Sequence, residues 1–259
     1  KGIVSKPLLG KGLKLAATLN VASLDELNSL TGGQLPAVGP FSITTQISDA
    51  DGKYVLSNYK LSLADTVMQG EITADLSSKI PNIKAKLQSS LVDLVPFQPE
   101  PPAEEEKVER YLSDEILPLE GLKSVNANIA LKINEVRTRQ ATITDFDTTL
   151  SIDKGNLNIK PLSMKLASGS INGSVNVNAS QKTAGVSVEL NGKDIQLGQL
   201  EQLKEKLSGG ATQITIRLKG NGNSSQAIAG GADGKLLVQV GSAGVKKDEK
   251  KEGLLAGLG

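Results

Sequence analysis

Two aspartates, Asp145 and Asp147, come closest in this sequence to a chemical motif, with Phe146 between them. Paired carboxylates can divide the roles of general acid and general base. In a β-strand, however, residues two positions apart point to the same face and the residue between them points to the other. The simpler interpretation is two acidic side chains on a solvated face, with Phe146 on the opposite face.

Gly220 and Gly222 are a second candidate, because they follow a predicted strand and precede a predicted helical turn. Phosphate-binding loops use glycines in this position to bring the backbone close to the phosphate. Ser225 stands where a third glycine is needed, and no Gly-Lys-Ser/Thr sequence follows. A tight turn is therefore the better interpretation.

The composition excludes most other chemistry. The chain has no histidine and no cysteine, so the commonest general base, thiolate nucleophiles, disulfides and the usual zinc ligands are all missing. We expect a protein that is not an enzyme and that uses neither a metal nor a cofactor. The charge balance is even, with 29 basic and 28 acidic residues, and no basic block alternates with aromatics, which disfavours nucleic acid as a partner.

The elements that position these residues are mostly β-strands. Apolar residues alternate with polar ones along most of the 259 residues, and turn residues recur about every 8 to 12 positions, as in an antiparallel meander. Asp51-Gly52 predicts a hairpin turn. Apolar residues at helical spacing predict short helices at 24–30, 108–116 and 194–207, and a helical turn is predicted at 225–229.

One pattern occurs twice, 103 positions apart. In both copies apolar residues fall on every second position, with a glycine at the same place, which indicates a sheet lengthened by duplication. The matching residues are Leu61, Leu63, Ala64, Met68, Gly70, Ile72 and Ala74 in the first copy, and Met164, Leu166, Ala167, Ile171, Gly173, Val175 and Val177 in the second.

The sequence divides into four parts. Residues 1–94 and 125–245 are two strand-rich segments, and residues 95–124 are a proline- and glutamate-rich insertion with a short helix. We expect the insertion to be extended and mobile, and the charged tail 246–259 to be disordered. The chain starts at Lys1 and has no apolar run of membrane-spanning length, so we expect a piece of a longer protein whose targeting segment lies elsewhere.

The apolar stripes allow two interpretations. They form either the core of an ordinary β-sandwich or an apolar surface that faces something other than protein. With only three phenylalanines, three tyrosines and no tryptophan, a thick globular core is disfavoured.

Several stretches, in order, resemble the AsmA family of bacterial envelope proteins, which are related to the bridge-like lipid-transfer proteins. The first is Ile80–Leu94, a proline-led strand that ends in a Leu-Asp-Leu type of turn. Arg110–Leu122 matches an arginine, aromatic, Ser-Asp, proline and leucine segment. Gly169 and Gly173 lead into a further strand, and Leu218–Ser224 leads through Gly234 to Val240.

The resemblance implies a fold that is mostly β, an elongated antiparallel β-sheet curved into an open apolar groove (β-taco-like) with a few short helices. It also implies that the groove carries phospholipid acyl chains between inner and outer membranes, in a periplasmic protein tethered to the inner membrane by an anchor outside this chain. The predicted partners are a phospholipid or other acyl-chain lipid and the membrane. The alternative is a structural β-repeat or scaffold domain of the cell envelope, without lipid transport.

The predicted groove consists of aliphatic side chains on alternating strand positions. They are Ile43, Ile47, Leu61, Leu63, Ile72, Ile129, Leu131, Ile133, Leu150, Ile152, Met164, Leu166, Val175, Val177, Val186 and Val188.

Overall fold

A computed structural model gives the fold of residues 2–6, 11–31, 35–50, 52–98 and 112–245. Within these residues, thirteen strands form one open sheet that is not closed into a barrel. Two further short strands pair with each other apart from it. The prediction of a mostly β protein built on an open sheet is confirmed.

The first part of the sheet contains six strands that follow one another in space as they do in sequence. Each strand of this part pairs antiparallel with the next. They are β1 (Gly2–Lys6), β2 (Lys11–Val21), β3 (Phe41–Ala50), β4 (Lys53–Leu63), β5 (Thr66–Asp75) and β6 (Asn82–Asp93). β3 and β4 form the predicted hairpin, and Asp51 of its turn lies outside the described residues.

The second part continues the same sheet from β7 to β14. Its strands also pair antiparallel. They are β7 (Asn126–Arg137), β8 (Thr142–Asp153), β9 (Asn156–Leu166), β10 (Gly169–Asn178), β11 (Gly185–Gln196), β13 (Ala211–Asn221) and β14 (Asp233–Val240), with β12 (Leu207–Gly209) and β15 (Ala243–Val245) at one end.

The two parts meet at one parallel pair, β6 with β7, which the sequence analysis did not anticipate. A parallel pair needs a connection that returns to the starting end of the first strand. Residues 94–125 make this connection, and its ends are held at opposite ends of the sheet. The Leu94 amide donates to the Arg137 carbonyl at 2.9 Å, and the Asn126 amide donates to the Pro81 carbonyl at 2.9 Å. The insertion is therefore a crossover, although residues 99–111 lie outside the described residues.

The sequence repeat extends to strand pairing. Strands β3–β6 and β8–β11, which we call the first and second units, correspond at an offset of 103 residues. Their cross-strand registers are the same except that the β8–β9 pair has one additional shift, between Thr144 and Asp147. Even the register shift is repeated. In the first unit Leu56 pairs with Ile72 and Tyr59 with Gly70, and in the second Ile159 pairs with Val175 and Leu162 with Gly173.

The helices are short and lie between strands. A 3₁₀ helix (Leu24–Leu27) and α1 (Asn28–Thr31) form the first predicted helix, and α2 (Ser225–Gly230) is the predicted helical turn. Further 3₁₀ turns occupy Val95–Phe97, Leu119–Lys123 and Leu197–Gln199. No helix in the described part of the chain has the length and apolar character needed to cross a membrane.

The predicted helix over 194–207 is wrong. β11 continues to Gln196, because Ile195 pairs with Thr212 and is buried at 2% exposure. The leucines that follow lie in a 3₁₀ turn and further turns, in which the Leu203 amide donates to the Leu200 carbonyl at 2.9 Å. Their spacing of three to four fits consecutive turns as well as a helix.

The predicted helix at 108–116 and the predicted tail are only partly comparable with the structure. Residues 108–111 and 246–259 lie outside the described residues, and residues 112–116 contain no helix. Ile116 instead forms an isolated bridge with Ser224.

Candidate functional site

The sixteen predicted groove residues share one face of the sheet. Residues paired directly across neighbouring strands point to the same face, as do alternate residues within a strand. Following the pairs from β3 to β11, and allowing for the register shifts, connects all sixteen. Representative pairs are Ile43–Leu61, Ile47–Leu56, Leu56–Ile72, Ile72–Ala85, Ala85–Ile129, Ile129–Leu150, Ile133–Phe146, Leu150–Ile159, Val175–Val188 and Val177–Val186. We call this surface the apolar face.

The apolar face is shielded only in part. Ile133 is buried at 7% exposure, and the other fifteen side chains are half-buried. In the described residues the main contacts join neighbouring strands, or strands and the short helices at their ends. In a closed sandwich, large aliphatic side chains on the inner face interdigitate with a second sheet. Half-burial along the whole face therefore favours the open surface over the sandwich core.

Strand β14 shows how the shielding arises. It is the last strand of the sheet, and its apolar-face residues Leu236 and Val238 are 64% and 51% exposed. By register they continue the face, since Leu236 pairs with Ile216 and Val238 with Ile214. Side chains inside the sheet lose exposure because strands flank them on both sides, and β14 has such a neighbour on one side only.

Hydroxyl side chains also lie on the apolar face, but their polar atoms turn back to the backbone. Each of three buried hydroxyl groups donates a hydrogen bond to a backbone carbonyl oxygen. The carbon atoms of these side chains are then the part that contributes to the apolar face. The pairs are Thr45 with Ser57 at 3.1 Å, Ser89 with Val67 at 2.7 Å, and Thr148 with Pro161 at 2.7 Å. The alternating pattern alone does not distinguish these hydroxyl residues from the others in their strands. A signal was present, since Thr45 and Thr148 are 103 positions apart.

Tyr59 is a titratable group on this face, where it pairs with Gly70. Burial raises the pKa of the Tyr59 phenol above its ordinary value of 10.0, because the phenolate loses hydration there. The phenol is therefore neutral at pH 7. Its presence does not place a charge on the apolar face.

Asp145 and Asp147 each form an ion pair with a lysine of a neighbouring strand. Asp145 lies 2.7 Å from Lys165 and Asp147 lies 3.3 Å from Lys132, with all four side chains well exposed. The hydrogen bond and charge of Asp145 raise the pKa of Lys165. Phe146 pairs with Ile133 on the apolar face. The solvated-face interpretation is confirmed, and no group of acidic residues among those described is arranged to hold a metal ion.

Gly220 and Gly222 serve packing, and the predicted turn starts later than Gly220, which lies in β13. A Cβ on Gly220 would overlap the Ile228 carbonyl oxygen, and one on Gly222 would lie 2.7 Å from the Ile228 amide nitrogen. The two glycines therefore let α2 approach the end of β13. The first turn of α2 is capped by the Ser224 hydroxyl, which accepts from the Ala227 amide at 3.1 Å.

Comparison with known proteins gives one family and one relative. The family model described as "AsmA family" matches residues 11–241. The AsmA family protein YhjG of Escherichia coli (strain K12) is 21% identical over 271 residues, which cover 93% of this chain and 39% of the relative. This chain therefore spans well under half the length of that protein. No solved structure matches.

Proposed function

The chain belongs to the AsmA family, an envelope-associated family, and from this premise we propose that its apolar face holds phospholipid acyl chains and carries them between the inner and outer membranes. The proposed site of action is the periplasm, with an inner-membrane anchor supplied outside this sequence. The proposed partners are a phospholipid or another acyl-chain lipid, and the membrane. The proposed role is non-enzymatic.

The observation that carries the proposal is the continuity of the apolar face. Aliphatic side chains from β3 to β11 lie side by side on one face of one sheet, and nearly all are half-buried. Within the described residues, Ser23 carries the one buried side-chain oxygen or nitrogen that lacks a hydrogen-bond partner. An acyl chain needs contiguous apolar surface and no specific polar contact, which is what this face offers.

The energetics favour such a surface. Each methylene buried from water contributes roughly 0.8 kcal/mol, so a chain on the apolar face is protected from most of the cost of crossing water. The headgroup stays in solvent on the open side of the sheet. Thirteen strands at about 4.8 Å spacing extend roughly 60 Å. A longer protein built on the same plan extends the path further.

Site-specific photo-crosslinking tests the proposal. A photoreactive amino acid at Leu131 or Val175, both on the apolar face, is expected to yield phospholipid adducts detectable by mass spectrometry. The matched controls point to the other face: Asn176 is the residue after Val175, and Thr149 of β8 pairs with Ala130, the residue before Leu131. Adducts at the first pair and not at the second support the proposal. Equal labelling at all four, or no phospholipid in extracts of the purified protein, contradicts it.

A scaffold role is the second candidate, favoured by the repetition of whole registers between the units. A repeated module that only spaces or assembles other envelope proteins needs a stable sheet and no lipid. The same experiment separates the two, because a scaffold yields no lipid adduct at Leu131 or Val175 while its fold is intact.

A further inference from the structure

The opposite face of the first unit and of the adjoining strand β7 carries a group of lysines around an open cavity of about 900 Å³. Lys60, Lys86 and Lys132 line it, together with polar groups that include Gln69 and Gln88. A smaller neighbouring cavity of about 250 Å³ shares Lys86 and adds Lys84. We call Lys60, Lys84, Lys86 and Lys132 the lysine patch.

The register brings these lysines together. Lys60 of β4 pairs with Gln69, Gln69 pairs with Gln88, and Gln88 pairs with Lys132 of β7, which forms one polar row across four strands. Lys86 and Lys84 follow on β6, two and four residues before Gln88. At about 4.8 Å between strands and 3.3 Å per residue along a strand, the patch is roughly 15 Å across. Its charges are close enough to act on one ligand at physiological ionic strength.

The positive charge of the patch is only partly neutralised. Lys132 is paired with Asp147 at 3.3 Å. Glu71 lies opposite Lys86 in the register and lines both cavities. Among the described residues, Lys60, Lys84 and Lys86 make no ion pair within 4.0 Å. Four ammonium groups thus surround the cavities, against one lining carboxylate.

The second unit shows that the fold does not require these lysines. At an offset of 103 residues, Ser163 replaces Lys60, Ser187 replaces Lys84 and Glu189 replaces Lys86. The register of β5–β6, which carries Lys84 and Lys86, is the same as that of β10–β11 at this offset. In the second unit Glu189 also faces Arg217 across the β11–β13 pair, so opposite charges alternate there. Since identical backbone positions fold with serine and glutamate, folding alone does not explain the lysines of the first unit.

We propose that the lysine patch binds a phosphate-bearing anion, on the face of the sheet opposite to the acyl chains. Lysine ammonium groups bind phosphate as mobile point charges, and the side-chain amides of Gln69 and Gln88 supply further donors. An open cavity of this volume admits a group the size of a phosphorylated headgroup. The same chemistry is available from a lipid headgroup or from a soluble phosphate compound.

The test uses the whole chain and exchanges residues between the units. In the variant K60S/K84S/K86E, the first unit carries the second unit's residues at these three positions. Binding is measured with inorganic pyrophosphate, with phosphatidylglycerol vesicles and with phosphatidylcholine vesicles. We expect the wild type to bind at least one of the two phosphate anions saturably, and the variant to bind it at least about tenfold more weakly, since contacts to charged groups contribute over 1 kcal/mol each.

The three ligands distinguish between a soluble phosphate compound and a lipid headgroup as the source of the phosphate group. Binding of pyrophosphate points to a soluble phosphate compound, and binding of phosphatidylglycerol vesicles without pyrophosphate points to a headgroup. Binding must also weaken with added salt. A second variant, K60Q/K86Q, keeps long polar side chains and serves if the first fails to fold. No saturable binding, equal binding of phosphatidylcholine, or binding unaffected by these substitutions would overturn the proposal. Lipid adducts at Leu131 are independent of this result.

Discussion

The first and second units, β3–β6 and β8–β11, are two copies of the same four-strand arrangement. Their residue types are similar on one face of the sheet and differ on the other. On the apolar face, Leu61 corresponds to Met164 and Leu63 to Leu166, so the side chains are either kept or replaced by another apolar one. On the opposite face, Lys60 corresponds to Ser163 and Lys86 to Glu189. The comparison teaches that apolar character is held in both copies, while the lysines at 60, 84 and 86 are specific to the first.

The two units also differ in how the sheet continues after them. The first is followed by the crossover and the parallel pair β6–β7, and the second by the antiparallel pair β11–β13. Despite this, the β4–β5 and β9–β10 registers agree, including the shift beside Gly70 and Gly173. This register therefore does not depend on whether the strand that follows the unit is parallel or antiparallel.

The strongest test of this equivalence uses the two glycines. A Cβ on Gly70 would overlap the Lys86 carbonyl oxygen, and one on Gly173 would overlap the Glu189 carbonyl oxygen, at the same offset of 103. We expect Gly70→Ala and Gly173→Ala each to lower the free energy of unfolding by about 3 kcal/mol, because backbone must move to make room. Urea unfolding monitored by circular dichroism measures this loss.

Gly121→Ala is the control for the glycine pair. No atom lies within 4 Å of a Cβ placed on Gly121, so we expect a change within about 0.5 kcal/mol. If one of the two sheet glycines tolerates alanine and the other does not, the units are not equivalent in packing, and the comparison fails.

Much of the sheet could be predicted from the sequence because alternation directly reports which residues share a face. Leu150 and Ile152 alternate with polar residues and lie on the apolar face with their partners Ile129 and Ala127. Alternation carries no information about strand direction, however. The parallel pair depends on where residues 94–125 attach, and proline and glutamate content predicts only that the segment lacks regular structure.

The hydroxyls of the apolar face show a second limit. Thr45 and Thr148 fit the alternating pattern, but their role depends on carbonyl groups beside the register shifts, at Ser57 and Pro161. Such shifts arise from backbone geometry at single residues, which includes a left-handed conformation at Asn58 with φ of 50°. No local pattern marked that residue. The one sequence signal for the two threonines is their separation of 103 positions, which is the offset between the two copies.

The two threonines provide a test of intermediate size. Thr45→Val and Thr148→Val keep the side-chain shape but remove the hydroxyl that donates to the carbonyl oxygen of Ser57 or Pro161. We expect each substitution to lower the free energy of unfolding by about 1 to 2 kcal/mol. The bond from Thr148 is shorter, 2.7 Å against 3.1 Å, so its loss is expected to be the larger. Thr149→Val, on the opposite face, is the control with little change. A neutral result for both threonines would show that water replaces the hydroxyl.

The smallest expected effect concerns Tyr59, whose counterpart in the second unit is Leu162. Burial raises the pKa of Tyr59 in the folded protein above 10.0, so the folded state disfavours the phenolate. Both states are neutral at lower pH, and the unfolded chain ionises first as pH rises through 10. We therefore expect stability to fall above pH 10, by less than the threonine effects, since the side chain is half-exposed.

Tyr59→Leu gives the first unit the second unit's residue at this position. Its unfolding free energy, measured between pH 9 and pH 11 by urea titration, is expected to fall less steeply than that of the wild type. The remaining slope belongs to the other titrating groups, which both proteins share. An identical slope in the two proteins would mean that Tyr59 is as well hydrated as in the unfolded chain. The apolar face would then be wetter in the first unit than the comparison with Leu162 implies.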